Sequence, residues 1–200
     1  MQVADKTVLL SRMKSVFDFV EPLPDRCWQE ITSFTQLKSY AKNEYFAKEG
    51  DRPNSLAFVC SGVFRAFYRN TDGVEYNKTF FTDNTFMIAL TAIVTKNTNL
   101  INIQALLDSV VLELDYQKFT RLFDEYQILE RLVRKIIESE WAKKETREIR
   151  LVIDDATARY MYFREEHPGL ETKIPQYHIA SYLGITPIQL SRIRSKLISR

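Results

Sequence analysis

The chain has 200 residues, of which 45% are hydrophobic and 12% aromatic, enough for one large or two small folded cores. No apolar run reaches the length of a membrane span, so we expect no membrane partner. Lys and Arg number 28 against 26 for Asp and Glu, but residues 172–200 contain five basic residues and no acidic one. A basic tail on a mildly acidic body predicts a polyanionic partner for the carboxyl-terminal end.

Residues of about 8–37 have the apolar spacing of helices, interrupted by Pro22 and Pro24. Over residues 38–114 the pattern changes to short aromatic and β-branched runs separated by turn residues, among which Asp72-Gly73 is a strong hairpin signal. We predict strands at 56–60, 63–69, 74–81, 99–104 and 110–114. Evenly spaced short strands are typical of a small barrel or jelly roll.

The helical period returns from Tyr116 to about Arg150. Apolar doublets four residues apart form a stripe wide enough to face both a partner helix and the β-domain of the same chain. A long helix packed only on its own core is the alternative. A bend near 149–155 leads into a further helix at 156–166. The predicted dimer interface consists of Ile128, Leu129, Leu132, Val133, Ile136 and Ile137.

The last thirty residues read as a helix, a tight turn and a second helix. Ile179 and Leu183 lie on one apolar face of the first helix. Gly184 follows, where a left-handed conformation would end that helix, and Thr186 and Pro187 suit the N-cap and first position of the next. Such a unit places its second helix in the DNA major groove. An ordinary helical hairpin with a solvated basic face is the alternative.

The second helix has a narrow apolar stripe of Leu190, Ile193 and Leu197, and its opposite face is polar and basic. We expect Arg192 to make the principal base contact, bidentate to guanine. The other predicted DNA contacts are Gln189 and Ser191 to bases, and Thr186, Arg194 and Lys196 to phosphates.

The order of these elements resembles the Crp/Fnr family of bacterial transcription regulators over essentially the whole chain. The motifs that carry the resemblance are Lys48-Glu49-Gly50-Asp51, the strand and turn at 56–62, the helix entry Asp115-Tyr116-Gln117-Lys118-Phe119, and the base-reading pair Ser191-Arg192. The sequence of residues 185–194 is most similar to that of family members from the Bacteroidetes.

The resemblance implies an α+β fold: an N-terminal double-stranded β-helix, or jelly-roll barrel, with flanking helices, then a long dimerisation helix and a C-terminal helix-turn-helix. The corresponding boundaries are 1–120 for the sensor barrel, 121–150 for the dimerisation helix and 151–200 for the DNA-binding domain. The resemblance also implies a cytoplasmic homodimer bound to double-stranded DNA at an inverted-repeat operator. RNA polymerase is a further candidate partner, and the sequence names no effector ligand.

The sequence departs from the family's pattern at the cyclic-nucleotide cassette. Members that bind cyclic nucleotides use a glutamate for the ribose hydroxyl and an arginine for the cyclic phosphate. The cassette's glycine, glutamate and arginine positions fall here on Ile88, Ala89 and Asn99. Losing such charged contacts costs on the order of several kcal/mol, so we predict no binding of cyclic AMP or cyclic GMP. The apolar residues after Ala89, namely Leu90, Ala92, Ile93 and Val94, suggest a filled or apolar-lined space instead.

A second departure lies in the recognition helix. Many relatives have a glutamate three residues before the Ser-Arg pair, and Ile188 stands there in this chain. Isoleucine cannot accept a hydrogen bond from cytosine, but it can contact a thymine methyl group. The preferred DNA sequence should therefore differ from that of those relatives.

Two other classes of protein compete with a DNA-binding regulator. One is a ligand- or protein-binding sensor or adaptor with a vestigial DNA-binding tail. The other is an enzyme with a cupin-like barrel, which usually needs clustered histidines, whereas residues 38–114 contain none. Cys27 and Cys60 are the only cysteines, which fits a reducing cytoplasm. We expect no enzymatic activity, no metal and no cofactor.

Overall fold

The structure, a computed structural model, describes residues 5–198, so Arg200 of the predicted basic tail lies outside the described residues. The helices are α1 (Lys6–Val20), α2 (Asp25–Ser33), α3 (Leu90–Thr95), α4 (Tyr116–Arg121), α5 (Gln127–Ile153), α6 (Ala156–Glu166), α7 (Gln176–Leu183) and α8 (Pro187–Ile198). The strands are β1 (Gln36–Tyr40), β2 (Tyr45–Ala47), β3 (Ser55–Ser61), β4 (Phe64–Arg69), β5 (Glu75–Phe81), β6 (Phe86–Ile88), β7 (Asn102–Ala105) and β8 (Ser109–Asp115).

The strands form two four-stranded sheets, ordered β1-β8-β3-β6 and β2-β7-β4-β5. The pairs β1–β8, β3–β8, β3–β6 and β2–β7 are antiparallel, and in the β3–β8 pair Phe58 lies opposite Leu112. Strands from distant parts of the chain are thus neighbours. The mixed architecture, with an antiparallel β-sheet core and several helices, confirms that part of the predicted fold class.

Strand β3 is buried on both faces, which explains why its sequence is almost continuously apolar. Because side chains alternate along a strand, Ala57 and Val59 join a core that draws on both sheets. Leu56, Phe58 and Cys60 join a second core with α1, α2 and the first part of α5. Both cores of this part of the protein therefore depend on one strand.

The Asp72-Gly73 signal lies in the hairpin between β4 and β5, as predicted. Gly73 has a φ of 80°, a conformation that glycine adopts without strain. The side-chain oxygen of Asn70 accepts hydrogen bonds from the backbone N–H groups of Asp72 and Val74, at 3.1 and 2.8 Å. The turn is closed by its own residues, so its position is encoded locally.

The chain divides into two compact units. The first extends to Ala66 and resumes over Phe80–Ser139. The second combines Phe67–Thr79, the end of the β4–β5 hairpin, with the chain from Glu140 onward. The predicted segments 1–120, 121–150 and 151–200 differ from this division in two ways. They place the hairpin end with the barrel, and they give α5 a segment of its own.

Several local features differ from the sequence-based expectations. The sequence does not predict β1, β2 or β6 as separate strands. The first two residues of β1 lie within the predicted helical range of about 8–37, and β2 and β6 have three residues each, which carry too little periodicity. The expected loop after Ala89 begins as the helix α3. The helix expected from Tyr116 is interrupted by a 3-10 turn at Leu122–Asp124. The predicted bend before α6 is confirmed, because Asp155 caps that helix by accepting a hydrogen bond from the N–H of Ala158 at 2.8 Å.

The described residues offer little reactive or membrane-inserting chemistry. Within residues 5–198, no helix is both long and apolar enough to cross a membrane. Over the same range, no group of three or more His, Cys, Asp or Glu side chains is placed to hold a metal ion. Cys27 and Cys60 are buried, and burial raises the pKa of each thiol to about 11.

Candidate nucleic-acid interface

The two predicted carboxyl-terminal helices are present as α7 and α8, joined by residues 184–186. Gly184 ends α7 in the left-handed conformation, with a φ of 67°. The N–H of Ile185 then donates to the carbonyl of Ala180 at 3.0 Å, which closes the end of the helix. The hydroxyl of Thr186 accepts from the N–H of Gln189 at 3.2 Å, as an N-cap should. The turn thus follows from local sequence.

The rotation of α8 about its axis is set by what it buries. Leu190 and Ile193 are buried, as predicted, whereas Leu197 is only partly buried. α8 packs against α6 and α7. The buried apolar side chains of those helices and of the segment between them include Tyr160, Phe163, Leu170, Ile174, Ile179 and Leu183. With this stripe turned inward, the opposite side of α8 is left to solvent.

The solvent-exposed side of α8 holds most of the predicted DNA contacts. Arg192 lies near its centre, one turn after Ile188, which is 67% exposed. Ser195 extends the same line by a further turn and is also exposed, and helical spacing from Ile188 could have identified it. The exposed predicted residues are Thr186, Ile188, Gln189, Ser191, Arg192 and Lys196. We call this set, with Ser195, the outer face of α8.

Arg194 lies apart from the outer face. It is partly buried, and its Nη1 atom is shielded from solvent without a hydrogen-bond partner in the described part of the chain. Its charge acts on Tyr160 of α6. Burial and a hydrogen bond to Glu171 raise the pKa of Tyr160 to about 12, and the charge of Arg194 opposes this rise. Helical spacing puts residue 194 beside the buried stripe rather than opposite it. The side chain of Arg194 therefore packs between α8 and α6, and this role competes with the predicted contact to a DNA phosphate.

The end of the β4–β5 hairpin belongs to the same compact unit as these helices, and hydrogen bonds join it to α7. β5 is an outer strand of its sheet, so one row of its backbone groups lacks a strand partner. The hydroxyl of Ser181 accepts from the N–H of Asn77 and donates to the carbonyl of Glu75, both at 3.0 Å. One side chain of α7 thus satisfies two backbone groups of the strand edge.

The side chain of Asn77 adds to this contact. It is fully buried, and its amide donates to the carbonyl of His178 at 2.9 Å. From α5, the guanidinium of Arg147 donates to the carbonyl of Tyr182 at 2.9 Å and lies 3.4 Å from the carbonyl of Asn77. The ring of Tyr182 lies 4.3 Å from the same guanidinium. We call these bonds and those of Ser181 the hairpin contact. No pattern in the sequence predicts it, because it joins residues about a hundred positions apart.

At the predicted cassette, Asn99 has a structural role instead of a ligand-binding one. It is 2% exposed, and its amide donates to the carbonyls of Lys48 and Ile101 at 2.9 and 2.6 Å. Its backbone N–H donates to Asp51, and its carbonyl accepts from Gly50, both at 2.8 Å. The residue at the expected arginine position thus joins the turn between β2 and β3 to the segment that precedes β7.

The other two cassette positions are apolar and packed. Ile88 pairs with Leu56 in the β3–β6 ladder. Ala89 is buried in the core between the sheets and precedes α3 without capping it through a side chain. Of the residues expected to fill or line a space, Ala92 is buried and Leu90 and Ile93 are half-buried, but Val94 is 62% exposed. In the described residues these positions supply neither the carboxylate nor the guanidinium of the family's cassette.

The predicted dimer interface on α5 requires a correction. Leu129 and Leu132 are fully buried in the core of their own unit and have no surface for a partner. Ile128, Val133 and Ile136 are partly buried against the same core, and Ile137 is 44% exposed. The doublets face inward because the sheet and α1 need an apolar cover. The exposed apolar side chains of α5 are Ile137, Trp141, Ile149, Val152 and Ile153.

Removing the Ser181 hydroxyl should open the hairpin contact. In Ser181→Ala, the N–H of Asn77 and the carbonyl of Glu75 lose their partner, at a cost of about 1–3 kcal/mol. We expect the amide hydrogens of residues 67–79 to exchange faster with deuterium. Ser15→Ala is the control, since that hydroxyl only bonds within α1. Unchanged exchange at 67–79 in Ser181→Ala would show that the contact does not hold the hairpin.

The cassette should not bind cyclic nucleotides. With Ala89 and Asn99 in place of the two charged residues, nothing there neutralises a cyclic phosphate or fixes a ribose hydroxyl. We expect neither calorimetric heat nor a shift in melting temperature with cyclic AMP or cyclic GMP at about 1 mM. A saturable shift with either nucleotide would contradict the assignment of Asn99 to a purely structural role.

The chain was compared with protein families, curated proteins and solved structures. Residues 37–126 match the sequence model of the cyclic nucleotide-binding domain family. No curated protein matches the chain significantly.

Three solved structures illustrate the similarity. The c-di-GMP-responsive global regulator CLP of Xanthomonas campestris has a TM-score of 0.67 and 16% identity, over 88% of this chain and 92% of that chain. FixK2 of Bradyrhizobium japonicum has a TM-score of 0.70 and 18% identity, over 82% of this chain and 85% of that chain. A protein from Eubacterium rectale, assigned to the Crp/Fnr family of transcriptional regulators, has a TM-score of 0.69 and 14% identity, over 88% of this chain and 85% of that chain. At such identities the likeness shows the fold. Residues 37–126 are thus similar to the cyclic nucleotide-binding domain family, and the chain shares its fold with these three proteins.

Proposed function

We propose that this protein is a dimeric, sequence-specific DNA-binding transcription regulator that cyclic nucleotides do not control. The observation that carries the proposal is the outer face of α8, which presents a central arginine among hydroxyl, amide and ammonium groups. Its rotation is fixed by a buried stripe on the opposite side. A helix of this kind at the end of a short turn suits the DNA major groove.

The side chains of the outer face divide into two roles. Arg192 reads a guanine through two hydrogen bonds, and Gln189 and Ser191 support it at neighbouring bases. Ile188 packs on a thymine methyl group, which gives an exposed apolar side chain a reason to stand among polar ones. Thr186 and Lys196 contact phosphates and position the helix without reading sequence.

Dimerisation is the second part of the proposal. Since the first apolar doublets of α5 are used inside the protomer, the partner helix packs on the side that carries Ile137 and Trp141. These two residues are one helical turn apart, and Val152 follows on the same side three turns later. A two-fold pair of α5 helices would place two recognition helices on half-sites about 34 Å apart in an inverted repeat.

The remaining assignments follow from this function. The β-domain is a sensor domain that has lost its cyclic-nucleotide chemistry, and the protein acts in the cytoplasm, with RNA polymerase as a further candidate partner. An adaptor without DNA binding is the competing function. A mobility shift with genomic fragments, followed by selection of bound sequences from random DNA, separates the two, since an adaptor would select no sequence.

Arg192 should be decisive for sequence preference. We expect Arg192→Ala to lower specific affinity by about 1–3 kcal/mol and to relax selection at one base in each half-site. Lys196→Ala should weaken binding to every sequence and reduce the salt dependence. Arg121→Ala is the control, because Arg121 is exposed on α4. Retained affinity and preference in Arg192→Ala would place the reading surface elsewhere.

Ile137 should be decisive for assembly. A carboxylate at a buried apolar interface is costly, so Ile137→Asp should yield monomers and lose DNA affinity. Val94→Asp is the control, since Val94 is similarly exposed but lies on α3. Sedimentation velocity at micromolar concentration measures the difference. A wild-type monomer under these conditions, or a dimer in Ile137→Asp, would contradict the assignment of this face.

A further inference from the structure

Three basic side chains meet beside the hairpin contact, on β5 and α5. Along β5, side chains alternate, so Tyr76 and Lys78 lie on the face opposite to Asn77. Tyr76 meets α5 there, because its hydroxyl lies 3.4 Å from the guanidinium of Arg147. Lys144 precedes Arg147 by one helical turn and lies on the same side of α5. The strand therefore sets Tyr76 against Arg147, and it carries Lys78 on the same face, where the charges of Lys144 and Arg147 act on its ammonium group.

The cluster contains more positive charge than its neighbours neutralise. Lys144 has an ion pair with Glu148 at 3.6 Å, and its ammonium lies 4.9 Å from the ring centroid of Trp141. The side chain of Lys78 makes no hydrogen bond or ion pair with any residue that the structure describes. Burial lowers the pKa of Lys78, and the charges of Lys144 and Arg147 lower it further, with Glu148 acting in the opposite direction. Three cations thus share one carboxylate in a partly desolvated place.

The members of this cluster are held in position by other contacts. The guanidinium of Arg147 is fixed by the carbonyl and the ring of Tyr182. Lys78 is carried by a strand whose free edge is bound through Asn77. Like charges held close together with fewer counter-ions than charges are unfavourable, and a bound anion relieves this cost. Ammonium and guanidinium groups beside a tyrosine hydroxyl suit the oxygens of a phosphate group.

We propose that Lys78, Lys144 and Arg147 bind a small, multiply charged phosphate compound. The site differs from the cyclic-nucleotide cassette, because it uses none of Ile88, Ala89 and Asn99. A ligand here touches both β5 and α5, and so it reinforces the hairpin contact. If the protein binds DNA as proposed above, this ligand regulates it: by holding the unit of α6, α7 and α8 on the hairpin, it raises DNA affinity.

Calorimetry and thermal melting with pyrophosphate test the site without any DNA. We expect saturable heat and a raised melting temperature for the wild type at ligand concentrations up to about 1 mM. Lys78→Met should weaken this binding by about tenfold or more, because it removes the one cation without a partner. Lys143→Met is the matched control, because Lys143 directly precedes Lys144 on α5 but forms an ion pair with Glu140. It should bind pyrophosphate within about twofold of the wild type.

Two outcomes would overturn the site: no saturable binding by the wild type, or equal weakening by Lys78→Met and Lys143→Met, which indicates a general charge effect. If Lys78→Met does not fold, Lys144→Met replaces it under the same criteria. A separate arm measures DNA affinity with and without pyrophosphate. Pyrophosphate binding with unchanged DNA affinity overturns the regulatory role alone. Absence of any DNA binding overturns the proposed function. The pyrophosphate-binding result then supports or overturns the anion site independently of DNA.

Discussion

The outer edge of β5 is the constraint on which the arrangement of the second unit depends. An outer strand offers N–H and C=O groups that need partners once they are covered. Ser181 and Arg147 supply those partners at Asn77 and Glu75, and the buried amide of Asn77 completes the contact. The hairpin end consequently belongs with the helices rather than with the barrel. Any movement of α7 has to break these bonds or carry the hairpin along.

The β-domain has the fold of the solved structures described above, and the predicted cassette positions carry no charged side chain. An arginine at the position of Asn99 would need an anion to balance it, whereas the side chain of the asparagine is satisfied by three hydrogen bonds with backbone groups of its own chain. Ala89 adds its methyl group to the core between the sheets. The same replacements that remove a phosphate site therefore tighten the fold around it. Regulation by a ligand, in our proposal, has moved to the cations beside the hairpin contact.

Amphipathic patterns were informative about burial but not about what covers the buried side. The doublets of α5 correctly mark an apolar stripe, yet Leu129 and Leu132 are covered by the core of their own protomer. In α8 the stripe of Leu190 and Ile193 fixes the outer face, and Arg194 lies beside the stripe rather than on that face. A basic residue in a recognition helix is thus a candidate DNA contact only after its angular position is considered.

The sequence by itself determined the features that depend on neighbouring residues: the Asp72-Gly73 turn, the glycine and threonine around the α7–α8 turn, the apolar run of β3, and the bend before α6. Each is stabilised within a few positions of the chain, so its signal is local. Tertiary structure alone decided the strand order, the partner of the α5 stripe, the inward position of Arg194 and the hairpin contact. These depend on hydrogen bonds and packing between residues far apart in sequence, such as Asn77 and Ser181, and no periodicity records them.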